Sequence, residues 1–228
     1  MTEAATETPA IREPKQGRSR ASFEKVIAAA RNLLEETGYD GFTLADVTRT
    51  SGVSIGSIYG RVSSKDDLLR VVQERVLEEV DVEQAQIVSP ARWIGASLNA
   101  LLPELLDELG EMLRRRAPIL RAFMMRASAD DAVGRLGRAS GARLAEGFEA
   151  LLLSRSREIN HPDPPRAARA CFTVAYASFT RYLGLGVSLD AAGEGDWLSL
   201  KADVSLMCAC YLGHATQELA RIDDAALS

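Results

Sequence analysis

The sequence predicts an all-α protein, with a cluster of short helices at its N-terminal end and longer helices after it. Three observations lead there. Apolar residues recur at helical spacing from Phe23 to beyond residue 200. Ser, Thr or Asp repeatedly stands just before such a stripe, where a helix N-cap belongs. No segment alternates apolar and polar residues as a half-buried strand would.

Taken in order, residues 1–17 lack periodicity and are expected to form an arm. Phe23, Val26, Ile27, Ala30 and Leu34 make the first stripe from about Ser22, and Gly38 suits a left-handed C-cap. Thr43-Leu-Ala-Asp46 is a capping box opening a second helix, closed by Ser51-Gly52. Ser54 caps a third, and Ser64-Lys-Asp-Asp67 opens a fourth that runs to about Asp81. Ser89-Pro90 reads as N-cap and N1 of a fifth helix, with Pro103 a candidate kink. Ala117-Pro118 is expected to start another, and Asp130–Arg155 carries the next. The loop from Ser154 to Pro165 ends in Asp163-Pro-Pro, so a helix follows over Pro165–Leu185. Gly184 to Gly195 breaks the chain before a last helix, Asp196–Arg221.

Composition narrows the class. With 228 residues and 46% hydrophobic content, the chain can bury a core without disulfides or metals. Three cysteines, Cys171, Cys208 and Cys210, read as small buried hydrophobes, and with two histidines they make a poor metal set; no cofactor is expected. The polar start carries no secretory signal and no run is long enough to span a bilayer, so a cytoplasmic protein is the expectation. The net charge of −5 argues against a general polyanion binder. Yet Arg12 to Lys65 holds nine basic and six acidic residues, a net of +3, which leaves −8 for the remainder. A basic module sits on an acidic body.

The informative stretch is Thr43 to Tyr59, followed by Gly60-Arg-Val-Ser-Ser-Lys65. Two short helices joined by Ser-Gly-Val make a helix-turn-helix. Val47, Val53 and Ile58 can lock the pair from inside, which leaves Ile55, Gly56, Ser57 and Gly60 facing outward. Small outward residues let such a helix approach a major-groove floor.

With Thr43, Gly52-Val53-Ser54, Gly56, Ile58-Tyr59, Arg61, Val62, Lys65 and Leu68-Leu69 at their spacings, Ser22 to Leu69 resembles the N-terminal domain of the TetR family of transcriptional regulators. The resemblance implies a DNA-binding domain over residues 18–66 and a ligand-binding and dimerisation domain over 67–228. It implies phosphate contacts for Thr43, Tyr59 and Lys65, with Arg61 standing where His or Tyr is commoner. Ser54, Ile55, Gly56 and Ser57 are then groove-facing; Ile55 suits a thymine methyl, and Ser57 can donate or accept. Gly60 offers no side chain where many members place a large one. Arg18 and Arg20 could enter a minor groove or lie along phosphates.

For the body, the resemblance implies a homodimer, a small hydrophobic or amphipathic ligand and a palindromic double-stranded operator. Ala175, Tyr182, Val204, Met207, Cys208 and Tyr211 are the candidate dimer residues. Trp93, Leu101, Phe123, Met124, Phe148, Phe172, Tyr176 and Phe179 are the candidate ligand-binding residues. The Arg114-Arg115-Arg116 run reads as a solvated helix face. Nothing in the chain suggests an enzyme: it has no phosphate-cradling glycine loop and no nucleophile–base set. Activation in place of repression, and a helical small-molecule-binding or adaptor protein with weakened DNA binding, remain alternatives.

Overall fold

The computed structural model describes residues 15–185 and 192–214. Among them are eight α-helices and no strand: α1 Lys15–Thr37, α2 Leu44–Ser51, α3 Ile55–Tyr59, α4 Lys65–Ile87, α5 Leu98–Ala127, α6 Asp131–Leu153, α7 Pro164–Tyr182 and α8 Trp197–Gly213. Short 3-10 turns occupy Pro90–Trp93 and Ser156–Glu158.

The caps fall where the side chains dictate. The Thr43 hydroxyl accepts from the Asp46 N–H, while the Asp46 carboxylate accepts from the Thr43 N–H at 2.8 Å. Ser54, Ser64, Asp130, Asp163 and Asp196 each cap the helix that follows. Gly52 closes α2 at φ +68°, a left-handed conformation that favours glycine.

Several boundaries differ from expectation. Helix α1 begins at Lys15, so it takes in the last residues assigned to the arm. Only its inner turns bury apolar residues, and periodicity cannot reveal turns that stay polar. Helix α4 runs on to Ile87, because Gln84 and Ile87 continue its buried face. Ser89-Pro90 opens only a 3-10 turn, and α5 starts at Leu98 behind the Ser97 cap. Helix α5 then passes unbroken through Pro103 and Pro118, so Ala117-Pro118 starts nothing. Each proline frees the carbonyl four residues back, and both those residues, Asn99 and Arg114, are exposed. The apolar face continues across Pro118 with Ala117, Ile119 and Leu120 all buried. Helix α8 ends at Gly213, with His214 extended; the rest of its expected length, to Arg221, lies outside the described residues.

Two hydrophobic cores result. One joins α1–α3 to α4 and to Ile119, Ala122, Phe123 and Val133, so it continues past residue 66. The other joins α5–α8. Along the α5–α8 contact, Gly110 suits a close approach: a Cβ there would sit tightly against Trp197 Cζ2 at 3.1 Å and Lys201 Cδ at 3.2 Å. Lys201, 8% exposed, donates to Asp107 at 2.5 Å and Glu111 at 2.7 Å, and Trp197 Nε1–H donates to Glu111 at 2.8 Å.

Burial pushes the Glu111 carboxyl up, but hydrogen bonds from Lys201, Trp197 and Arg114 outweigh it and bring it down to about 2 from 4.5. A carboxylate with a depressed folded-state value stabilises the fold above its unfolded value and loses that contribution as pH falls. We therefore expect the chain to lose about 1–3 kcal/mol between pH 4.5 and 2 through this group, allowing for solvent screening. Denaturant titrations across that range should show the loss in the parent and a flatter profile in Glu111→Gln.

Candidate nucleic-acid interface and effector cavity

The helix-turn-helix is held from within by Val47 and Ile58, each 0% exposed, together with Phe42 and Val62. Packing these four against α1 and α4 turns the rest of α3 outward. Ile55 is 41% and Tyr59 55% exposed, and Ser54, Gly56, Ser57 and Gly60 are exposed with them. A Cβ added at Gly56 would meet nothing within 4 Å, and at Gly60 only ordinary contacts. The chain's own packing therefore demands neither glycine. The result is a low outer surface, with the hydroxyls of Ser54 and Ser57 paired at 2.9 Å.

Around this face the expected contact residues divide. Thr43 is exposed, and its hydroxyl also donates to the Asp46 carboxylate, at 2.7 Å. Arg61 is exposed, donates to the Ser19 hydroxyl and lies 5.2 Å from the Phe23 ring centroid, so α1 orients it. Arg20 is exposed on α1; Arg18 lies in that helix, its side chain outside the described residues. Lys65 is different. Its ammonium donates to the carbonyls of Tyr39 and Phe42, the latter at 2.6 Å, and lies 4.2 and 4.3 Å from their ring centroids. Burial pulls its pKa below the usual lysine value. Two of its three donors thus tie the α1–α2 loop to the start of α4, an occupation distinct from an open phosphate contact.

The same loop is joined to the body. Tyr39 donates to Asp66 at 2.5 Å, and Arg126 of α5 donates to the same carboxylate at 2.9 Å. Burial and the Asp66 hydrogen bond push the Tyr39 phenol up to about 12. Arg70 bridges Asp67 and Asp130, the cap of α6.

A cavity of about 400 Å³ lies among α4, α5, α6 and α7. Four of the expected ligand residues line it: Phe123, Met124, Phe172 and Tyr176. Trp93, Leu101, Phe148 and Phe179 do not. They are at most 5% exposed and fill the second core, where Trp93 donates to the Ile87 carbonyl and Phe179 meets Trp197 edge-on. Sequence reasoning missed Gln73, Gln84 and the glycines Gly134, Gly137 and Gly141 of α6. The signals were present: glycines at i, i+3 and i+7 of one helix, and glutamines on the face that carries Leu77 and Val80.

The expected dimer residues also divide. Ala175 and Val204, each 0% exposed, and Cys208, at 3%, are covered by the chain's own α7–α8 contact and cannot meet a second copy. Tyr182 leans on Trp197 and Tyr211 on His161, both partly buried. Met207 is 53% exposed, and on the same helix Leu198 is 69% and Leu206 64% exposed. The arginine run is engaged with acids on α4 and α5: Arg115 and Arg116 pair with Glu83, and Arg114 with Glu111.

Residues 26–72 match the family model described as bacterial regulatory proteins, tetR family. The chain is 25% identical over 103 residues to the HTH-type transcriptional regulator YfiR of Bacillus subtilis, and 40% identical over 55 residues to YwcC of the same organism. These matches cover 45% and 24% of this chain; it spans about half the length of the first relative and a quarter of the second. The fold resembles the crystal structure of a TetR-family regulator from Mesorhizobium loti, with TM-score 0.69 and 18% identity over 86% of this chain and 96% of that one. It also resembles FadR of Bacillus subtilis in complex with stearoyl-CoA, with TM-score 0.60 and 15% identity over 84% of this chain and 99% of that one. The proteins it resembles are regulators, not enzymes. No described helix is long and apolar enough to cross a membrane. Residues 26–72 thus match the tetR family of bacterial regulatory proteins, and the described chain shares the all-helical fold of the TetR-family structures it resembles.

Proposed function

We propose that the chain is a homodimeric transcriptional repressor that binds a palindromic DNA operator and releases it when a small hydrophobic or amphipathic molecule enters the α4–α7 cavity. The observation that carries this reading is the free outer face of α3, bounded by exposed Thr43, Tyr59 and Arg61 on a module of net positive charge. A low surface flanked by donors is what a major groove with its two phosphate rails accepts. The cavity supports the second half of the reading. Phe123 and Val133 line it and also belong to the core beneath the helix-turn-helix. An occupant would touch residues that the DNA-binding helices rest on. FadR, of the same fold, holds stearoyl-CoA, an amphipathic molecule, which is consistent with an amphipathic effector here.

Dimerisation through α7 and α8 is supported by the second face of α8. Val204, Cys208 and Leu212 face inward, while Leu198, Leu206 and Met207 are apolar and exposed, with Val174 exposed on α7. These exposed apolar side chains add to what the chain's own packing covers, and a second copy is the natural cover for them. One observation favours the alternative of weakened DNA binding: Lys65 commits two of its three donors inside the chain.

Three outcomes follow. Fluorescence anisotropy with DNA from upstream of its own gene should show selective binding that weakens with salt, and Tyr59→Phe or Arg61→Ala should weaken it about tenfold. Equal weak binding to scrambled DNA would favour the alternative. Lys65→Met should cost about 1.5–3 kcal/mol in urea denaturation through its lost charge-assisted hydrogen bonds, whereas Tyr59→Phe should leave stability unchanged. Light scattering should give a dimer for the parent and a folded monomer for the double variant Leu206→Glu, Met207→Glu.

A further inference from the structure

Two glutamines stand in the cavity wall where an apolar effector alone would leave them unserved. Gln73 is 1% and Gln84 7% exposed, and the side-chain oxygen of each is buried without a hydrogen-bond partner. The amide of Gln73 is oriented, because its Nε2–H donates to the Val133 carbonyl at 2.9 Å. The unmatched end is therefore the acceptor. A buried amide oxygen without a donor is costly, and natural interiors rarely leave one so.

Their spacing adds a length. Gln73 and Gln84 are eleven residues apart on α4, three turns on one face, or roughly 16 Å along its axis. Between them the same face presents only Leu77 and Val80 to the cavity. A volume of about 400 Å³ drawn out over that length makes a slot, not a round chamber. Opposite, Gly137 and Gly141 of α6 keep it open: a Cβ at Gly141 would meet nothing within 4 Å, and one at Gly137 only the Gln73 amide at 4.0 Å. The one formally charged lining residue, Arg138, is 69% exposed and lies 3.5 Å from Asp131. Its charge is at the mouth.

On the reading that this cavity is the effector site, we propose that the effector is a narrow, largely apolar, uncharged molecule with a hydrogen-bond donor near each end, one for Gln73 and one for Gln84. Hydroxyl or N–H groups serve; a carboxylate at the Gln73 end, where the amide is held by Val133, would face an acceptor with an acceptor. An aliphatic or ring-bearing body packs on Phe123, Met124 and the stacked rings of Phe172 and Tyr176, whose centroids are 5.5 Å apart.

The test uses the full chain and three probes of one length: a ten-carbon alkane with a hydroxyl at both ends, the same chain with one hydroxyl, and the same chain with a carboxylate at both ends. Calorimetry should find the diol bound about tenfold more tightly than the mono-alcohol, one matched hydrogen bond, with the dicarboxylate weakest. Gln73→Leu and Gln84→Leu should each bring the diol down to the mono-alcohol while leaving the mono-alcohol unchanged. Circular dichroism checks their folding, with Gln84→Met as a second variant. A diol no better than the mono-alcohol, or a dicarboxylate that binds best, overturns the proposal. If the mono-alcohol binds and Gly141→Leu abolishes that binding, the effector site itself stands whatever the diol does. If no probe binds, or Gly141→Leu leaves binding intact, the site and the proposal fall together.

Discussion

Helix α5 belongs to both hydrophobic cores, and the rest of the architecture follows from that. Leu101 to Ala117 pack among α6, α7 and α8, while Ile119, Ala122 and Phe123 pack beneath the helix-turn-helix. Because the helix does not break at Pro118, its two halves cannot reorient independently without cost. The proline is tolerated because it sits on the exposed face, where water can take the freed carbonyl. A helix boundary there would have separated two domains. Its absence fixes the helix-turn-helix against the body through a shared wall.

That wall is reinforced by charge as well as by packing. Asp66 receives Tyr39 from one side and Arg126 of α5 from the other, and Arg70 reaches the α6 cap at Asp130. Lys65 draws the α1–α2 loop to the same place. Solvent-exposed pairs such as Arg135–Asp131 contribute little by comparison, since water and salt screen them. The partly buried pairs at the junction are the ones whose geometry matters, because moving α4 relative to α5 would separate them.

Much of this was legible in the sequence, for local reasons. Thr43, Ser54, Ser64, Asp130, Asp163 and Asp196 cap helices because a short side-chain oxygen meets N–H groups two or three residues on, an interaction that needs no tertiary knowledge. The apolar stripes likewise revealed which faces are buried. They could not reveal against what. Ala175, Val204 and Cys208 lie on a stripe that serves the chain's own α7–α8 contact, whereas Leu206 and Met207 lie on the other side of α8. Periodicity gives a face, and only packing decides whether a neighbouring helix has already covered it. The same limit explains Trp93, Leu101, Phe148 and Phe179, large apolar residues that fill space where Phe172 and Tyr176 border it.

The cavity was missed for the opposite reason: its signal is made by what is missing. Gly134, Gly137 and Gly141 occupy one face of α6; at Gly137 and Gly141 alanine would favour the helix by roughly 1 kcal/mol each, whereas at Gly134 a Cβ would press on the Ala127 carbonyl at 3.2 Å. Alanine would be accommodated at Gly141 without contact, so crowding does not explain that glycine. Gln73 and Gln84 each forgo a hydrogen bond in the same wall. Both features weaken the fold, and both concentrate where the two cores meet. Local rules of stability tend to fail at functional sites, and these failures coincide in space. The bond from Gln73 to the Val133 carbonyl crosses from α4 to α6 at this point. An occupant that engages Gln73 therefore bears on the contact that ties the body's first turn of α6 to the helix that follows the helix-turn-helix. It can shift the balance between two arrangements only so far as it binds one of them better. A glutamine whose donor is already committed to Val133 and whose acceptor is free can supply that difference.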